Sequence, residues 1–459
     1  MANWTDLPID LLIVIAENLP SIEDFSTFSS VCKEWQSATT ILKKKPSLPT
    51  RYPRIMLPEK LDTNGQGNQD NRCFLNLLTS KTYELKLPEA SGRKCVGAHY
   101  GWLLTVGSDL QINLLHPFSR QQICLPPMLT FPDQYEYDDE FTPQDAYDLF
   151  VRKIVMSSNP CKETNNHDCV IMAIYGEYEV LAFARLGDKV WTNITVPSRC
   201  YEDIVYYNGK FYAVDCHGVV VVCDLDDTNG PKATVVAPAP SGTFDWIQKY
   251  LVESSGHLLI VSRTRGGSLY EHVLHDEEEE DDDEDNNEVD EEEEKDGEND
   301  KVDDDDEEDD EENDKVDDDV EQDDDGDNDD KEEDDDNVEQ DNDDDNDNEE
   351  PSYYTIGFSV LRLEECQEKG NDCAYRWNEV PTLGDQALFL GNNVSISLSS
   401  SNCIKANCIY FSEDNYELYS TERGGGGYDT GIFNLEDGTI QLNYAGESRS
   451  CLAPPLWYI

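Results

Sequence analysis

The amino-acid sequence predicts a mainly β protein with a short α-helical segment at its N-terminus and one long acidic interruption. Between residues 70 and 275, and again from 351 to 459, short β-type runs alternate with turn signals every 8 to 15 residues. Residues 1 to about 45 instead repeat apolar side chains at helical spacing. Residues 276–350 contain 53 Asp or Glu and four Lys, and they break the β pattern in two.

Length and charge limit the class of protein. The 459 residues carry a formal net charge of −66, of which the 276–350 tract supplies −49. The rest carries −17 without a basic stripe, so we expect no nucleic acid among the partners. No run of 18 apolar residues occurs, and the start "MANWTDLPID" lacks a secretory pattern, so we expect no membrane partner. These observations predict a cytoplasmic or nuclear protein whose 14 Cys are reduced.

Composition divides the chain into five segments. They are a helical domain at 1–45, a linker at 46–70, a first β part at 71–275, the acidic tract at 276–350 and a second β part at 351–459. The tract is predicted to be disordered, because it has almost nothing to bury and its charges repel one another. Since a strand-like run precedes it and another follows it, we interpret the tract as a long insertion within one β domain.

Hairpins recur along the β segments. Apolar runs flanking a polar turn are found at 74–89, 112–127, 220–238 and 431–442. The dipeptides Asn208-Gly209 and Gly391-Asn392 predict tight turns, and residues 408–411 form a further apolar strand. A second repeat, a Trp followed by a β-branched residue before Pro, occurs at 190–197 and 376–381. Hairpins repeated without intervening helices favour radial repetition, and we therefore predict a β-propeller-like domain. The alternative is a large sandwich or barrel of unrelated hairpins.

The first forty residues predict two helices with one apolar stripe each. The first stripe consists of Leu7, Leu11, Leu12, Ile15 and Leu19. Pro20 ends this helix, and the second stripe consists of Phe25, Phe28, Val31, Cys32 and Trp35. So small a helical unit buries little by itself, so its stripes need a partner surface, which is either another protein or the β domain of the same chain.

The order of these residues resembles the F-box. Leu7-Pro8, Leu11-Leu12, Leu19-Pro20 and the Val31-Cys32-Lys33…Trp35 run carry the resemblance over about forty residues. It implies binding to the Skp adaptor of SCF ubiquitin ligases and, through that adaptor, to cullin. By resemblance, the adaptor face or the small core behind it is formed by Leu7, Pro8, Leu11, Leu12, Ile15, Leu19, Val31, Cys32 and Trp35. The sequence does not separate these two roles position by position.

The β segments are similar to the KIB-type β-propeller domain of plant F-box proteins. The matching pieces, in family order, are "YEDIVYYNGKFYAVD" (201–215), "LGDQALFLGNN" (383–393), "NCIYFSED" (407–414) and "GIFNLEDG" (431–438). Outside the acidic tract, the resemblance covers roughly 95 to 440. It implies a propeller that recruits an unknown target protein.

Motifs for catalysis, cofactors and metals are missing from the sequence. The seven His are dispersed, and no GxSxG, Walker or GxGxxG loop occurs. Asp203 with Asp215, or Asp385 with Asp414, could form paired carboxylates, but turn and cap roles are commoner for Asp in such positions. A calcium-loop pattern at 321–332 is expected by chance within so acidic a run. We therefore assign no catalytic residue, cofactor-binding residue or metal ligand, and expect no cofactor.

Two functional hypotheses follow from the sequence. The first is a non-catalytic substrate-receptor subunit of an SCF-type E3 ubiquitin ligase, in which the F-box binds the Skp adaptor and the propeller recruits a target protein for ubiquitination. The alternative is an acidic binding protein, similar to a histone chaperone, that acts through residues 276–350. A third possibility, a propeller hydrolase, has no supporting motif.

Overall fold

A computed structural model of the chain describes most residues outside the acidic tract. The described ranges are 7–17, 19, 22–43, 53–57, 70–77, 80–132, 150–160, 169–241, 247–267, 353–365, 375–401, 404–415, 429–442 and 455–458. Within these ranges, 25 strands form six sheets and three α-helices precede them, which confirms the mainly β fold class. The acidic tract at 276–350 and its calcium-loop pattern lie outside the described residues.

The N-terminal unit contains three helices, where the sequence predicted two. They are α1 (Ile9–Glu17), α2 (Ile22–Ser30) and α3 (Lys33–Lys43). The chain breaks between α2 and α3 because the N–H of Val31 closes a turn on the carbonyl of Phe28, while Cys32 starts a new helix by accepting from the N–H of Gln36 at 2.9 Å. The second apolar stripe is thus divided between two helices. In the described part of the chain, no helix is long and apolar enough to cross a membrane.

Blade 1 joins the two ends of the propeller. Its strands, in spatial order, are β25 (Leu456–Tyr458), β1 (Arg54–Leu57), β2 (Asn71–Asn76) and β3 (Lys81–Lys86), all antiparallel to their neighbours. The position of β1 corrects the sequence prediction, which placed a linker at 46–70. The four residues of β1 are buried and pair with β25 from the far end of the chain on one side and with β2, which follows only after residues 58–70, on the other, so no tight turn marks them as a strand.

Blades 2 to 5 each contain four antiparallel strands that follow one another along the chain. Blade 2 consists of β4 (Arg93–His99), β5 (Trp102–Gly107), β6 (Ile112–Leu115) and β7 (Gln122–Cys124). Blade 3 consists of β8 (Val151–Met156), β9 (Val170–Tyr175), β10 (Val180–Arg185) and β11 (Thr192–Asn193). Blade 4 consists of β12 (Tyr201–Tyr207), β13 (Lys210–Asp215), β14 (Val220–Asp224) and β15 (Lys232–Ala237). Blade 5 consists of β16 (Gln248–Ser254), β17 (His257–Gly266), β18 (Tyr354–Glu365) and β19 (Tyr375–Glu379).

Blade 6 departs from this simple order. Its strands are β20 (Gln386–Leu390), β21 (Ile396–Ser399), β22 (Cys408–Phe411), β23 (Gly431–Asn434) and β24 (Ile440–Leu442). Their spatial order is β21-β20-β22-β23-β24, and β20 runs parallel to β22. The sequence predicted a tight turn at Gly391-Asn392, but residues 391–395 instead form a longer connection. Its Asn393 and Ser395 are buried, and they form hydrogen bonds with Trp457 of blade 1 and Asp203 of blade 4, respectively.

Six hydrophobic clusters show that the blades form a closed ring. Each cluster contains residues from two neighbouring blades, and the sixth joins blade 6 to blade 1. One buried residue from each interface, in ring order from blades 1 and 2, is Leu103, Ile154, Ile204, Leu251, Val261 and Phe389. Because both faces of a blade are covered, central strands such as β5 and β9 are buried at every position and show no polar alternation. The predicted propeller is therefore confirmed, with six blades.

The predicted hairpins are confirmed as pairs of neighbouring strands within blades. The runs at 74–89, 112–127, 220–238 and 431–442 correspond to the pairs β2–β3, β6–β7, β14–β15 and β23–β24. The Asn208-Gly209 turn joins β12 to β13, with φ angles of 49° and 80° that Asn and Gly tolerate best. Local turn chemistry thus fixes the register of these pairs.

The strand order assigns each connection to one of two propeller faces. In a blade of four antiparallel strands, the chain leaves the fourth strand on the side where it entered the first. We call this side the upper face; it carries the connections between blades and the turns between second and third strands. The lower face carries the remaining turns. The chain between Gly266 and Tyr354, which includes the acidic tract, joins the second and third strands of blade 5 and so begins and ends on the upper face.

The two Trp repeats noted in the sequence make the same contact in two blades. Trp191 lies beside β11 and donates from Nε1 to the carbonyl of Pro126 at 2.9 Å, just after the fourth strand of the preceding blade. Trp377, on β19, donates to the carbonyl of Pro238 at 2.7 Å, which has the equivalent position after blade 4. Each indole therefore connects the outer strands of two neighbouring blades.

Replacing Trp191 with Phe is expected to lower the free energy of unfolding by about 1–3 kcal/mol, because the buried Pro126 carbonyl loses its donor. The matched variant Trp377→Phe is expected to cost less, since water can reach the Pro238 carbonyl at that exposed site. Urea unfolding followed by circular dichroism measures both. Equal losses of stability in the two variants would show that burial of the acceptor carbonyl does not determine the size of the loss.

Candidate functional site

The three helices build a small core of their own. Its buried side chains, two from each helix, are Leu12, Ala16, Phe25, Phe28, Ala38 and Leu42. The Trp35 ring packs on Phe28 with 4.2 Å between ring centroids, which connects α3 to α2. All these contacts lie within the three-helix unit, and they bury only the inward-facing side chains of the apolar stripes.

Other apolar side chains of the same helices face solvent. Leu11 and Val14 lie three residues apart on α1, with exposed fractions of 50% and 51%. Val31, between α2 and α3, is 56% exposed, and Ile9 at the start of α1 is 43% exposed. Exposed aliphatic side chains in such numbers on a small unit are typical of a protein-binding surface.

The structure divides the sequence-predicted adaptor residues into three groups. Leu12 is fully buried in the core. Five residues are half-buried: Leu7, Ile15, Leu19, Cys32 and Trp35. Three are exposed: Pro8, Leu11 and Val31. Sequence reasoning missed Ile9 and Val14, although Val14 follows Leu11 at the helical spacing that could have identified it.

In the propeller, one buried aspartate connects four blades near the central axis. Asp203 on β12 is fully buried, and its Oδ1 lies 2.5 Å from Nζ of Lys153 on β8. Its Oδ1 also accepts from the N–H of Ile204 at 2.7 Å. Its Oδ2 accepts from the N–H of Leu251 at 2.9 Å and from Oγ of Ser395 at 2.8 Å. The carboxylate therefore joins blades 3, 4, 5 and 6.

A second buried network surrounds Arg263 on β17, whose five donors are all bonded. Its Nε donates to Oγ1 of Thr355 at 2.8 Å. Its Nη1 donates to the carbonyl of Ser412 at 2.8 Å and to Oδ1 of Asp414 at 2.9 Å. Its Nη2 donates to the carbonyl and to Oδ2 of Asp429 at 3.0 and 2.9 Å. The guanidinium thus joins blade 5 to both chain segments that flank residues 415–428 of blade 6.

Burial and neighbouring charges shift the pKa values of Asp414 and Glu413 in this network in opposite directions. Burial favours a raised pKa for Asp414, but Arg263 and Arg265 outweigh it and hold the pKa of Asp414 below its usual value. For Glu413, burial and the neighbouring Asp429 prevail and raise the pKa to about 7. The two arginines therefore keep Asp414 ionised in a site where carboxylates otherwise become neutral.

The candidate carboxylate pairs do not form a catalytic arrangement. The oxygens of Asp203 are taken up by the bonds described above. Asp215 accepts from Oγ of Ser198 and from the N–H groups of His217 and Val219, which is a turn role. Asp385 is exposed, whereas Asp414 is buried against arginine. Among the described residues, no group of three or more His, Cys, Asp or Glu side chains could hold a metal ion.

An open groove lies on the upper face between blades 3 and 4. It encloses about 420 Å³ and is lined by the β9–β10 turn and by the connection from β11 to β12, residues 175–178, 180 and 193–199. Tyr178 is 42% exposed, and the guanidinium of Arg199 lies 4.3 Å from its ring centroid. Val196 and Pro197 supply apolar lining, so the groove offers both stacking and aliphatic contacts.

Comparisons with known proteins agree with this arrangement. A sequence model of the F-box domain matches residues 4–47, which include all three helices. A model described as the KIB1-4 beta-propeller matches residues 74–434, which is well over half of the chain. The chain belongs to the KIB1-4 β-propeller family. The two resemblances noted in the sequence are therefore confirmed.

Curated relatives of this KIB1-4 protein include F-box proteins of Arabidopsis thaliana. The F-box protein SKIP23 is 30% identical over 279 residues, which cover 57% of this chain and 64% of that protein. The putative F-box protein At5g55150 is 27% identical over 256 residues, covering 55% of this chain and 65% of that protein. This chain thus spans somewhat less than two thirds of the length of these relatives.

The KIB1-4 match begins and ends inside the ring, so β1 and β25 lie outside the matched range although they complete blade 1. The match also extends across the acidic tract, in agreement with the interpretation of the tract as an insertion. The alternative hypothesis of an acidic binding protein rests on residues 276–350, which lie outside the described residues.

Proposed function

We propose that this protein is a substrate-receptor subunit of an SCF-type E3 ubiquitin ligase. The exposed aliphatic surface of the F-box carries the proposal. Leu11, Val14 and Val31 remain in solvent although the three helices already have a core, so a second apolar partner is needed to cover them. An Skp adaptor is the partner that the F-box implies, and cullin binds through that adaptor.

In the proposed complex, the propeller holds a target protein close to the ubiquitin-loaded E2 enzyme. The chain makes and breaks no bond itself, and its contribution is to raise the effective concentration of the target at the ligase. The closed six-blade ring supports this role, because each blade is fixed by two neighbours and its surface loops start from rigid strands.

The proposal predicts that the double variant Leu11→Asp/Val31→Asp loses Skp adaptor binding. Two carboxylates on exposed aliphatic positions would have to be desolvated in the interface, and we expect affinity to fall at least about 100-fold. The unchanged chain and the variant are compared by pull-down and by titration with purified Skp adaptor. Because both side chains are exposed, the helical core should remain folded.

Val235→Asp is the matched control, since Val235 is 55% exposed on the outer strand of blade 4. It should bind the adaptor like the unchanged chain. Retention of adaptor binding by the Leu11→Asp/Val31→Asp variant would overturn the F-box assignment of function.

A further inference from the structure

We infer that Arg54 binds a small oxyanion, a phosphate or carboxylate group, at the lower-face end of blade 1. Arg54 is the first residue of β1, and it pairs with Asn76 on β2 and with Tyr458 on β25. Asn76 is the last residue before the β2–β3 turn, which lies on the lower face. The proposed site therefore lies where the two ends of the propeller meet, and it contains no residue of the F-box.

The guanidinium of Arg54 is buried without an acceptor for most of its donors. Arg54 is 2% exposed, and no described residue accepts a hydrogen bond from its Nε or Nη1. These two nitrogens carry more than half of the N–H donors of the group. Because an arginine side chain does not lose its proton in proteins, the buried charge is strongly unfavourable until an anion covers it.

Arg263 shows how this fold satisfies a buried arginine. Its guanidinium forms ion pairs with Asp414 and Asp429, both at 2.9 Å. Arg54 faces an aromatic ring instead, and its guanidinium carbon lies 5.8 Å from the ring centroid of Tyr83. A ring face attracts a cation, but it does not replace acceptors for Nε and Nη1. The contrast between these two buried arginines indicates that Arg54 receives a ligand anion.

Tyr83 and Tyr458 form the walls of the site. Burial and Tyr83 raise the pKa of the Tyr458 hydroxyl, while the positive charge of Arg54 opposes them, so that charge acts close to the hydroxyl. The Tyr458 hydroxyl itself donates to the carbonyl of Gly101 at 2.7 Å. Both rings pack on Phe74, with 5.4 and 5.6 Å between ring centroids. In surroundings of this kind the attraction between a guanidinium and an anion is stronger than in water.

Burial and shape select the class of ligand. Because only 2% of Arg54 is exposed, a side chain of a partner protein cannot reach the guanidinium unless blade 1 opens, whereas a small ion can. A guanidinium binds an oxyanion through two parallel N–H bonds along one edge of its plane, a geometry that a spherical halide does not match. We therefore expect a small phosphate or carboxylate compound rather than a protein segment.

Binding is expected to stabilise the closed ring. Arg54 and Tyr458 face each other across the pairing of β1 with β25, so the site is complete only while these two strands are joined. A ligand that binds only the folded chain raises its stability by mass action. The anion should therefore raise the temperature at which the chain unfolds.

The test measures thermal unfolding midpoints of the unchanged chain in chloride, phosphate and acetate at equal ionic strength and pH. Replacing chloride with about 10 mM of the anion that fits is expected to raise the midpoint by at least about 2 °C. The anion that gives the larger rise, phosphate or acetate, identifies the ligand as a phosphate or a carboxylate compound. Isothermal titration calorimetry with that anion is expected to show a single site per chain.

Three variants locate the site. Arg54→Met removes the charge and every donor, so the rise should disappear. Arg93→Met is the matched control, because Arg93 is also largely buried but donates to Thr105 and Gln111 within its own blade. Its rise should equal that of the unchanged chain. Arg54→Lys keeps the charge and loses the planar edge, so affinity for the anion should fall about tenfold. Circular dichroism confirms that each variant is folded.

Unchanged midpoints with both anions, or equal rises in the unchanged chain and in Arg54→Met, would overturn the inference. Equal rises are the result expected when anions stabilise the chain only through their exclusion from its surface, since that effect does not depend on Arg54. If Arg54→Met proved unfolded, equal affinities of Arg54→Lys and the unchanged chain for the anion would also overturn it.

Discussion

Replacing Trp457 with Ala is expected to lower the free energy of unfolding by about 3–5 kcal/mol, a large part of the roughly 5–15 kcal/mol that stabilises a typical domain. Trp457 lies in the middle of β25, is fully buried and contacts Phe389 with 5.2 Å between ring centroids. Its Nε1 donates to the carbonyl of Leu390 at 3.0 Å. The substitution therefore leaves a cavity in the interface between blades 6 and 1 and removes one of the donors to the Leu390 carbonyl, which keeps the N–H of Ser412 at 3.1 Å.

The effect is large because β25 is the strand that closes the ring. Blade 1 takes its innermost strand from the C-terminal end of the chain and the next strand, β1, from residues 54–57. If this pairing loosens, β25 separates from β1, and blades 1 and 6 lose their shared core. Urea unfolding followed by tryptophan fluorescence and circular dichroism measures the loss.

Trp377→Ala serves as the matched control for Trp457→Ala. Trp377 also donates to a backbone carbonyl in a neighbouring blade, but it is only half-buried on an outer strand. We expect a loss of about 1–2 kcal/mol there. If Trp377→Ala lost as much stability as Trp457→Ala, the contacts that close the ring would be no more important for stability than other contacts between blades.

The sequence predicted those parts of the fold that local chemistry determines. The Asn208-Gly209 turn and the strand at Cys408–Phe411 have their signals within a few residues, and both were predicted correctly. The Tyr100-Gly101 and Ser255-Gly256 turns have the same pair of positive φ angles in blades 2 and 5, but only Gly marks them, so they were missed.

Long-range pairings had no such signal. One of the two partners of β1, the strand β25, lies about 400 residues further along the chain, and Asp203 meets Lys153 and Ser395 only because three blades converge on the axis. Nor could the pattern separate Leu11 from Leu12, which are adjacent and chemically identical. The packing of α2 and α3 buries Leu12 and leaves Leu11 half exposed, and that distinction decides which residue is available to an adaptor.

Replacing Arg263 with Met is expected to cost about 3–5 kcal/mol of folding free energy at neutral pH, because it removes one partner of a buried ion pair and leaves the other charged. Asp414 and Asp429 are both more than nine-tenths buried, and each loses a bond of 2.9 Å to the guanidinium. Arg362→Met is the control. Arg362 pairs with Glu364 on the same blade, but both side chains are about a third exposed, so we expect a loss within about 1 kcal/mol.

The pH dependence distinguishes a lost ion pair from a mere cavity. In the unchanged chain the pKa of Asp414 is depressed, so its contribution to stability is present above the pKa of the unfolded chain and is lost as pH falls through the folded value. Without Arg263, burial acts against the charged form with less opposition, and the pKa of Asp414 rises. The variant then gains stability relative to the unchanged chain as pH falls from about 7 to about 5.

Thermal unfolding midpoints of both proteins across that pH range measure the difference. A deficit that stays constant with pH would assign the loss to packing alone, since a cavity carries no protons. The double variant Arg263→Met/Asp429→Asn provides a second test. It also removes the Asp429 carboxylate that lost its partner, and this should restore part of the lost stability. Strictly additive losses in the double variant would show that Arg263 and Asp429 do not act as a pair, and that Phe358 and Phe411, on which the guanidinium packs, carry the effect instead.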